Sequence, residues 1–354
     1  MEKQDIMLYS LDELKEYLNS IGEKPFRAKQ IYEWLHQKLV ECFDDMTNIS
    51  NNLKEKLNND FYIQSLEMVQ VLTSKIDGTQ KFLFRLNDGN VIESVLMRYK
   101  HGNSVCISTQ VGCRMGCRFC ASTLDGLVRN LKPSEMLEEI YYIQRYSKER
   151  VSNIVLMGSG EPMDNFDNVL AFVKTISDEN GLHISQRNIT ISSCGLAEKI
   201  KELADSCKKY DLKLGFYYSQ CIDWREKDGG GYTIDSTGSA GDSWDNNWDY
   251  PDRTTKNYER CFNKKIVPQV KELLTNYGDV FLMWFDMSLD STPSQSKFLY
   301  QLVKNLQPNC LINSRLGNGN FDYVSLGDNE IPEFIPSKIN ENIDYNNIEG
   351  FKKS

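Results

Sequence analysis

The sequence has few of the features that mark membrane proteins, secreted proteins or proteins that coat nucleic acids. Its 354 residues contain no run of about 18 apolar residues, which excludes a predicted transmembrane helix. The start, MEKQDIMLYSLDELKEYL, is charged and helical in pattern, unlike a secretory signal peptide. Acidic residues (50) outnumber basic ones (41), and the net charge is −9. A simple nucleic-acid coat is therefore disfavoured, whereas RNA as a substrate needs only a local basic patch.

Cysteine is present without a secretory context. Ten cysteines occur at uneven spacing and no signal peptide precedes them. This pattern predicts reduced thiols rather than a disulfide framework, because disulfides persist in oxidising compartments. We therefore expect a cytoplasmic protein.

The hydrophobic pattern predicts an α/β protein with a helical start. Residues 9–66 have helical periodicity, and Ser10 followed by Glu13 is a capping-box pattern. A second predicted helix opens at Pro25 and carries one apolar face that we expect to pack in a core, made of Phe26, Ile31, Trp34 and Leu35. Residues 68–99 alternate instead, and NDGN between the two halves indicates a hairpin.

From about residue 104 the pattern is strand, loop and helix, repeated, which predicts parallel β/α units and a barrel or part of one. The pattern changes after about residue 206. Residues 220–255 form a long loop whose tryptophans either stack on a sugar or pack within the loop: Trp224, Trp244 and Trp248. The predicted organisation is a helical accessory domain (1–68), a β-hairpin linker (69–103), a partial β/α barrel (104–205), a second partial β/α barrel (206–335) and a polar tail (336–354).

Three cysteines in VGCRMGCRFCAST are spaced C-x3-C-x2-C: Cys113, Cys117 and Cys120. Three thiolates on one loop suit three irons of a [4Fe–4S] cluster and leave the fourth iron open for a small chelating molecule with an amino and a carboxylate group. The alternatives are a zinc site with a distant fourth ligand, or three unrelated thiols. Zinc motifs usually come as two pairs, no second pair is present, and histidine is scarce: only His36, His101 and His183 occur.

Five motifs in order resemble one family: GEKPFRAKQIYEWLHQK, VIESVLMRY, CISTQVGCRMGCRFCAST, MGSGEPMDNFDNV and NITISSCGL. They are similar to the RlmN-type RNA adenine-C2 methyltransferases of the radical S-adenosylmethionine (SAM) superfamily, over about residues 1–205. The resemblance implies a partial radical SAM barrel, a [4Fe–4S] cluster on the three cysteines, SAM as cofactor, rRNA (23S) and tRNA as substrates, and an electron donor that reduces the cluster.

The same resemblance implies roles for four further residues. Gly160 and Glu161 would hold the amino end of SAM, and Ser192 would contact the same cofactor. Glu93 is the candidate general base; without the family context it reads as an ordinary solvent-facing strand residue. A glycine at a strand's carboxyl end lets the backbone approach a ligand, and a carboxylate accepts hydrogen bonds from an ammonium.

The first resemblance stops after Asp205. The family's methyl-carrying cysteine sits in an ACGQL-like context, and none of the downstream cysteines has that setting: Cys207, Cys221, Cys261 and Cys310. The resemblance therefore implies an impaired methyl transfer even where the cluster forms and SAM is cleaved.

The stretch of about 206–335 resembles the α-L-fucosidases of glycoside hydrolase family 29, on CKKYDLKLGFYYSQCIDW, LLTNYGDVFLMWFDM and FLYQLVKNLQPNCLINSRLGNGNFDYVSLGDNEIPE. It implies a partial fucosidase-type barrel, a fucoside as a possible ligand, and Asp286 as nucleophile. A retaining glycosidase needs two carboxylates about 5–5.5 Å apart. Neither Glu330 nor Glu333 matches the family's acid/base position, and no histidine follows His183.

Three hypotheses follow from an apparent chimera of two incomplete families. The first is a radical SAM RNA methyltransferase with an atypical second half. The second is an α-L-fucosidase fragment with a foreign first half. The third is a non-catalytic or artefactual fusion that binds a cluster at most.

Overall fold

The structure is a computed structural model that describes residues 3–100, 102–117, 120–209, 213–221, 223, 226–229, 256–288 and 291–325. The loop tryptophans, the polar tail, Glu330 and Glu333 lie outside the described residues. Contacts divide the chain into two compact units, Met1–Lys199 and Ile200–Ser354. Each unit is described by itself.

The first unit opens with a small helical layer. Its helices are α1 (Leu11–Ser20), α2 (Phe26–His36) and α3 (Asn51–Asp60), and a short parallel pair, β1 (Gln4–Asp5) and β2 (Phe61–Tyr62), ties its two ends together. The predicted capping box at the start of α1 is confirmed, because the Ser10 hydroxyl accepts from the Glu13 N–H and the Glu13 carboxylate accepts from the Ser10 N–H.

The predicted apolar face of α2 is only partly correct. Ile31 and Leu35 are buried, whereas Phe26 is 54% exposed. Trp34 is half-buried and its indole N–H donates to Asn48 Oδ1 at 2.6 Å. The guanidinium of Arg27 lies 5.0 Å from the Phe26 ring centroid, so a cation covers part of the ring that the core does not.

A six-stranded sheet forms the centre of the first unit. Its strands and a neighbouring two-stranded ribbon are, in chain order, β3 (Glu67–Thr73), β4 (Gln80–Arg85), β5 (Val91–Tyr99), β6 (Gly102–Cys106), β7 (Gln110–Gly112), β8 (Leu127–Asn130), β9 (Val151–Leu156) and β10 (Ile189–Ile191). The sheet order is β10-β9-β6-β5-β4-β3, and β7 pairs with β8. The strands from β3 to β6 pair antiparallel, whereas β6, β9 and β10 pair parallel. The segment predicted as a hairpin linker is therefore part of the sheet.

Two helices follow strands in the predicted β/α manner: α4 (Pro133–Ser147) and α5 (Phe166–Ser177). Buried residues of both helices join one hydrophobic cluster with the inward-facing side chains of β4, β5, β6 and β9, including Phe82, Phe84, Leu137, Ile154 and Phe172. Because side chains alternate along a strand, one face of the sheet is committed to this cluster and the other can carry polar groups.

The second unit repeats the β/α pattern on a smaller scale. Its elements, beginning with a helix that spans the boundary, are α6 (Ala197–Lys209), β11 (Gly215–Ser219), α7 (Tyr258–Cys261), α8 (Val267–Asn276), β12 (Leu282–Asp286), α9 (Pro293–Leu306) and β13 (Leu311–Ile312). The three strands pair parallel in the order β11-β12-β13. Pro268 lies in the first turn of α8, directly after a π-helical turn, where its missing N–H is tolerated.

No helix among the described residues is long and apolar enough to cross a membrane.

Candidate functional site

The carboxyl ends of β6 and β9 are joined by a set of hydrogen bonds. The N–H of Ser159 donates to the Ser108 hydroxyl at 3.1 Å, and the Ser159 carbonyl accepts from the N–H of Thr109 at 2.8 Å. The N–H of Gly158 donates to the Ile107 carbonyl at 3.0 Å. Chemistry in parallel β/α folds collects at this edge, so the loop after β9 is held where a ligand is expected.

Gly160 occupies a position that no other residue fits without movement. Its φ of +106° lies in the region that favours glycine, and a Cβ there would lie 2.6 Å from Gln110 Cβ and 2.7 Å from the Gln110 backbone nitrogen. The Gln110 side chain in turn accepts from the Glu161 N–H at 2.8 Å. The close approach of these two segments depends on the absent side chain.

Glu161 is a buried carboxylate, 4% exposed, held by backbone donors on both oxygens. Its Oε1 accepts from the Met163 N–H at 2.9 Å and its Oε2 accepts from the Cys194 N–H at 2.7 Å. Ser192 lies at the end of β10, where its N–H donates to the Leu156 carbonyl at 3.4 Å. Gly160, Glu161 and Ser192 are thus brought to the ends of two neighbouring strands.

The three-cysteine loop follows β7. Cys113 is buried and its N–H donates to the Gly126 carbonyl at 3.0 Å. Cys117 and Cys120 are half-buried, and the N–H of Cys120 donates to the Cys117 carbonyl at 3.0 Å. All three thiols are free. Burial, and then the charges of Cys117, Cys120 and Glu161, raise the pKa of the Cys113 thiol. Cys117, Cys120 and Glu161 therefore lie within electrostatic reach of the Cys113 thiol.

The described part of the chain contains no group of three or more His, Cys, Asp or Glu side chains arranged to hold a metal ion. The donor types nevertheless suit an iron–sulfur cluster, because the loop offers three free thiols.

Glu93 lies on β5 with its side chain half-exposed. Its Oε1 is 3.0 Å from Lys81 Nζ on the neighbouring strand β4. Its backbone carbonyl accepts from the Ser108 hydroxyl at 2.8 Å. The main chain at Glu93 therefore contacts the segment that leads into the cysteine loop, while the carboxylate is paired with a lysine.

Several polar residues that support this edge were not predicted from the sequence. Gln110 is fully buried, and its amide N–H donates to Asp164 Oδ2 at 3.0 Å. Burial and then the hydrogen bond with Glu161 raise the pKa of the Cys194 thiol to about 12. Glu139 on α4 is also fully buried, and its Oε2 accepts from the Ser108 N–H at 3.0 Å. Gln110 and Cys194 lie within two of the quoted motifs but were given no role there, and nothing in the sequence marked Glu139.

Asp286 ends β12 in the second unit and is 9% exposed. Its Oδ2 accepts from the Tyr217 hydroxyl at 2.8 Å, and its Oδ1 lies 3.3 Å from Arg315 Nη1. The next residue, Met287, has a φ of +54°, which is unusual for a residue with a side chain. Asp286 is therefore a carboxylate at the carboxyl end of a parallel strand, held by two donors and followed by a residue with positive φ.

Comparisons with known proteins divide the chain in the same way. Three family models match: the ribosomal RNA large subunit methyltransferase N-terminal domain over residues 4–63, the radical SAM superfamily over 107–216, and α-L-fucosidase over 185–353. The front of the chain resembles RlmN and the rear resembles a fucosidase. The predicted resemblance to two families is confirmed, and the order of the matched domains is consistent with a chimera.

Individual relatives agree with the front half. The chain is 62% identical over 213 residues to the probable dual-specificity RNA methyltransferase RlmN of Lachnospira eligens, with 60% of this chain and 61% of that protein covered. It is 63% identical over 216 residues to the protein of the same name from Lachnoclostridium phytofermentans, with 61% of each covered. The chain thus spans about three fifths of the length of the curated relatives that it matches.

A radical SAM methyltransferase from Sphaerobacter thermophilus is 28% identical, with a TM-score of 0.61, and the match covers 88% of this chain and 84% of that one. The α-L-fucosidase AlfC from Lactobacillus casei is 52% identical over 39% of this chain and 43% of that one, with a TM-score of 0.35, which does not establish a shared fold. The predicted α/β class with a partial radical SAM domain and a fucosidase-like part is confirmed.

Proposed function

We propose that the first unit binds a [4Fe–4S] cluster and SAM and acts on RNA in the manner of the RlmN-type enzymes that it resembles. One observation carries the proposal: a buried, doubly hydrogen-bonded Glu161 follows a sterically obligatory Gly160 and lies within electrostatic reach of the thiol of Cys113. This combination offers both a set of thiol ligands and an anionic receptor for an ammonium at one edge of the sheet.

The residues have distinct roles in the proposal. Cys113, Cys117 and Cys120 would hold the cluster, which when bound and reduced would supply the electron for cleavage of SAM. Glu161 accepts hydrogen bonds from the amino group of SAM, while Gly160 lets the backbone approach the cofactor. Ser192 contacts the cofactor from the end of β10.

Glu93 is proposed as the proton acceptor for the RNA base. Because its carboxylate is paired with Lys81 at 3.0 Å, this role requires Glu93 to exchange the lysine for the substrate. The pair is partly exposed, and ion pairs of this kind contribute only about 0–1 kcal/mol, so the exchange is affordable.

Methyl transfer is the step that we expect this chain to lack. Among the described residues, the cysteines of the second unit after α6 are buried: Cys221, Cys261 and Cys310 are exposed by 1%, 1% and 0%. Cys207 lies on α6 in a sequence context unlike that of the methyl-carrying residue. We therefore propose that SAM is cleaved without transfer of a methyl group to adenine.

The partners follow from the same proposal. RNA, either rRNA or tRNA, is the substrate class, and an electron donor reduces the cluster. The ten free thiols agree with a reducing, cytoplasmic location.

The experiment that tests the proposal uses the full chain, prepared without oxygen and loaded with iron and sulfide. We expect brown protein with iron–sulfur absorbance, and release of 5′-deoxyadenosine when reductant and SAM are added. The variant Glu161→Gln is expected to keep its iron and lose SAM-dependent product. Protein that takes up no iron, or that holds a cluster and leaves SAM intact, would overturn the proposal.

A second candidate function is favoured by the surroundings of Asp286. The tyrosine and arginine that contact its carboxylate orient it at the end of the strand, as attack on an anomeric carbon requires. A chromogenic α-L-fucoside tests this function, and hydrolysis that is lost in Asp286→Ala would support it. Because a retaining glycosidase needs a second carboxylate, we expect weak or no turnover and place this function second.

A further inference from the structure

A groove of about 340 Å³ opens on the surface of the first unit, away from the cofactor edge. The segment after α2 forms one wall, and the end of α4 with the approach to β9 forms the other. Five of its lining residues are charged, and four of those are basic: Lys38, Arg145, Lys148, Glu149 and Arg150. Within a chain of net charge −9, this concentration of cations is a local exception.

The acidic groups around the groove already have basic partners. Glu149 Oε2 is 2.9 Å from Arg98 Nε, and Glu41 Oε1 is 3.1 Å from Arg145 Nη2. Arg145 also pairs with the buried Glu138. The acidic side chains around the groove are therefore neutralised within the protein. Arg145 takes part in this neutralisation through its ion pairs with Glu41 and Glu138.

The remaining cations of the groove are not committed to acids. Neither Lys148 nor Arg150 has an ion pair within the part of the chain that the structure describes. Lys38 Nζ lies 3.6 Å from the Trp34 ring centroid, a contact that leaves its charge unneutralised. Three positively charged residues thus line the groove without an ion-pair partner among the described residues, while its one acid, Glu149, is paired with Arg98.

The backbone at Lys148 is unusual for a lysine. It caps α4 in the left-handed region with a φ of +57°, and its N–H donates to the Gln144 carbonyl at 3.0 Å. Glycine or asparagine is the ordinary residue at such a position, and a residue with a long side chain there costs free energy. A lysine kept at that cost suggests that its charge has a use.

The position of the groove limits the ligand. Arg150 precedes the amino end of β9, whereas Glu161 follows its carboxyl end. The six residues of β9 span about 20 Å, at about 3.3 Å per residue. The groove is therefore not part of the SAM site, and a ligand that engages both ends of the strand must be a macromolecule.

We propose that this groove binds the phosphate backbone of the RNA substrate at a distance from the reacting base. The proposal rests on the proposed function and adds a second contact region to it. Lysine and arginine charges that lack protein partners are the groups that replace phosphate counterions. An acidic protein is the other candidate, but an electron donor must approach the cluster, which lies at the opposite edge of the sheet.

The test measures binding of tRNA to the full chain at several salt concentrations, for the natural sequence and for Lys148→Asn/Arg150→Gln. Asparagine keeps the left-handed cap favourable, so the double variant loses two charges with little change in folding. The matched control is Lys15→Gln/Lys24→Gln, which removes the same charge from the region of α1 and its following turn.

The groove variant is expected to bind tRNA about tenfold more weakly at low salt, with a slope of log K against log salt that is smaller by about 1.5–2, and the control is expected to bind like the natural sequence. An unchanged salt slope in the groove variant, or an equal loss of tRNA affinity in the control, would overturn the proposal that the groove binds RNA. The proposed function would remain intact. Failure of the unaltered protein to bind any RNA would overturn both. Unchanged tRNA binding together with slower reduction of the cluster by a protein electron donor would overturn the RNA assignment in favour of a protein partner.

Discussion

Replacing Gly160 by alanine tests the most specific steric claim about the cofactor edge. Two costs are expected. A residue with a side chain at a φ of +106° costs about 1–3 kcal/mol. The added Cβ would also overlap the Gln110 backbone nitrogen at 2.7 Å, and overpacking of this kind costs about 1–3 kcal/mol more.

The two costs can be separated by a control glycine. Gly89 has a φ of +85° in the turn between β4 and β5, and a Cβ there meets nothing within 4 Å. Gly89→Ala therefore carries the backbone cost without the overlap. Gly160→Ala is expected to lose about 2 kcal/mol more of the unfolding free energy than the control does. For a unit of this size, that difference lowers Tm by about 4–8 °C relative to the control.

The assay is thermal unfolding of the full chain, followed by equilibrium binding of SAM to cluster-loaded protein. If the loop moves aside instead of destabilising the unit, the hydrogen bond from the Glu161 N–H to Gln110 breaks and SAM affinity falls. Equal Tm values for the two variants together with unchanged SAM affinity would refute the steric argument.

Three further predictions concern the same unit. Cys117→Ser should abolish most iron–sulfur absorbance while the far-ultraviolet circular dichroism stays unchanged, and retention of a full complement of iron would contradict the proposed ligand set. Glu161→Gln should weaken SAM binding by about 10–100-fold because the amide cannot pair with an ammonium as a carboxylate does, and calorimetry that finds no change would remove Glu161 from the cofactor site. Burial raises the pKa of the Glu139 carboxyl well above its ordinary 4.5. The folded state therefore keeps this proton to a higher pH than the unfolded chain does. The unfolding free energy should consequently fall by up to about 1.4 kcal/mol per pH unit as the pH rises above about 4.5. Glu139→Gln should flatten that dependence in denaturant titrations at several pH values, and an identical slope would show that Glu139 titrates normally.

Local sequence patterns were sufficient to predict most of the helices and strands. The capping box at Ser10 and Glu13 is confirmed because both partners lie within one helical turn. The alternation of strands and helices after residue 104 predicted parallel β/α units because period and length together distinguish the two elements. The exposed Phe26 was mispredicted because helical spacing identifies a face and not what covers it.

The supporting polar network was invisible in the sequence because its members are far apart along the chain. Glu139 meets Ser94 across 45 positions and Ser108 across 31. Tyr217 meets Asp286 across 69 positions. Such pairs follow from strand order and register, which a single sequence does not define. The segment from residue 69 to 103 was separated as a linker for the same reason, although its strands continue the sheet.

The measurement that tests the account most directly is the product analysis of the full chain, loaded with a cluster, reduced, and supplied with SAM and both tRNA and 23S rRNA. The account predicts that 5′-deoxyadenosine accumulates and that no adenine in either RNA gains a methyl group at C2. Methylated RNA would contradict the loss of the methyl-carrying step, and intact SAM in cluster-loaded protein would contradict the cofactor site itself.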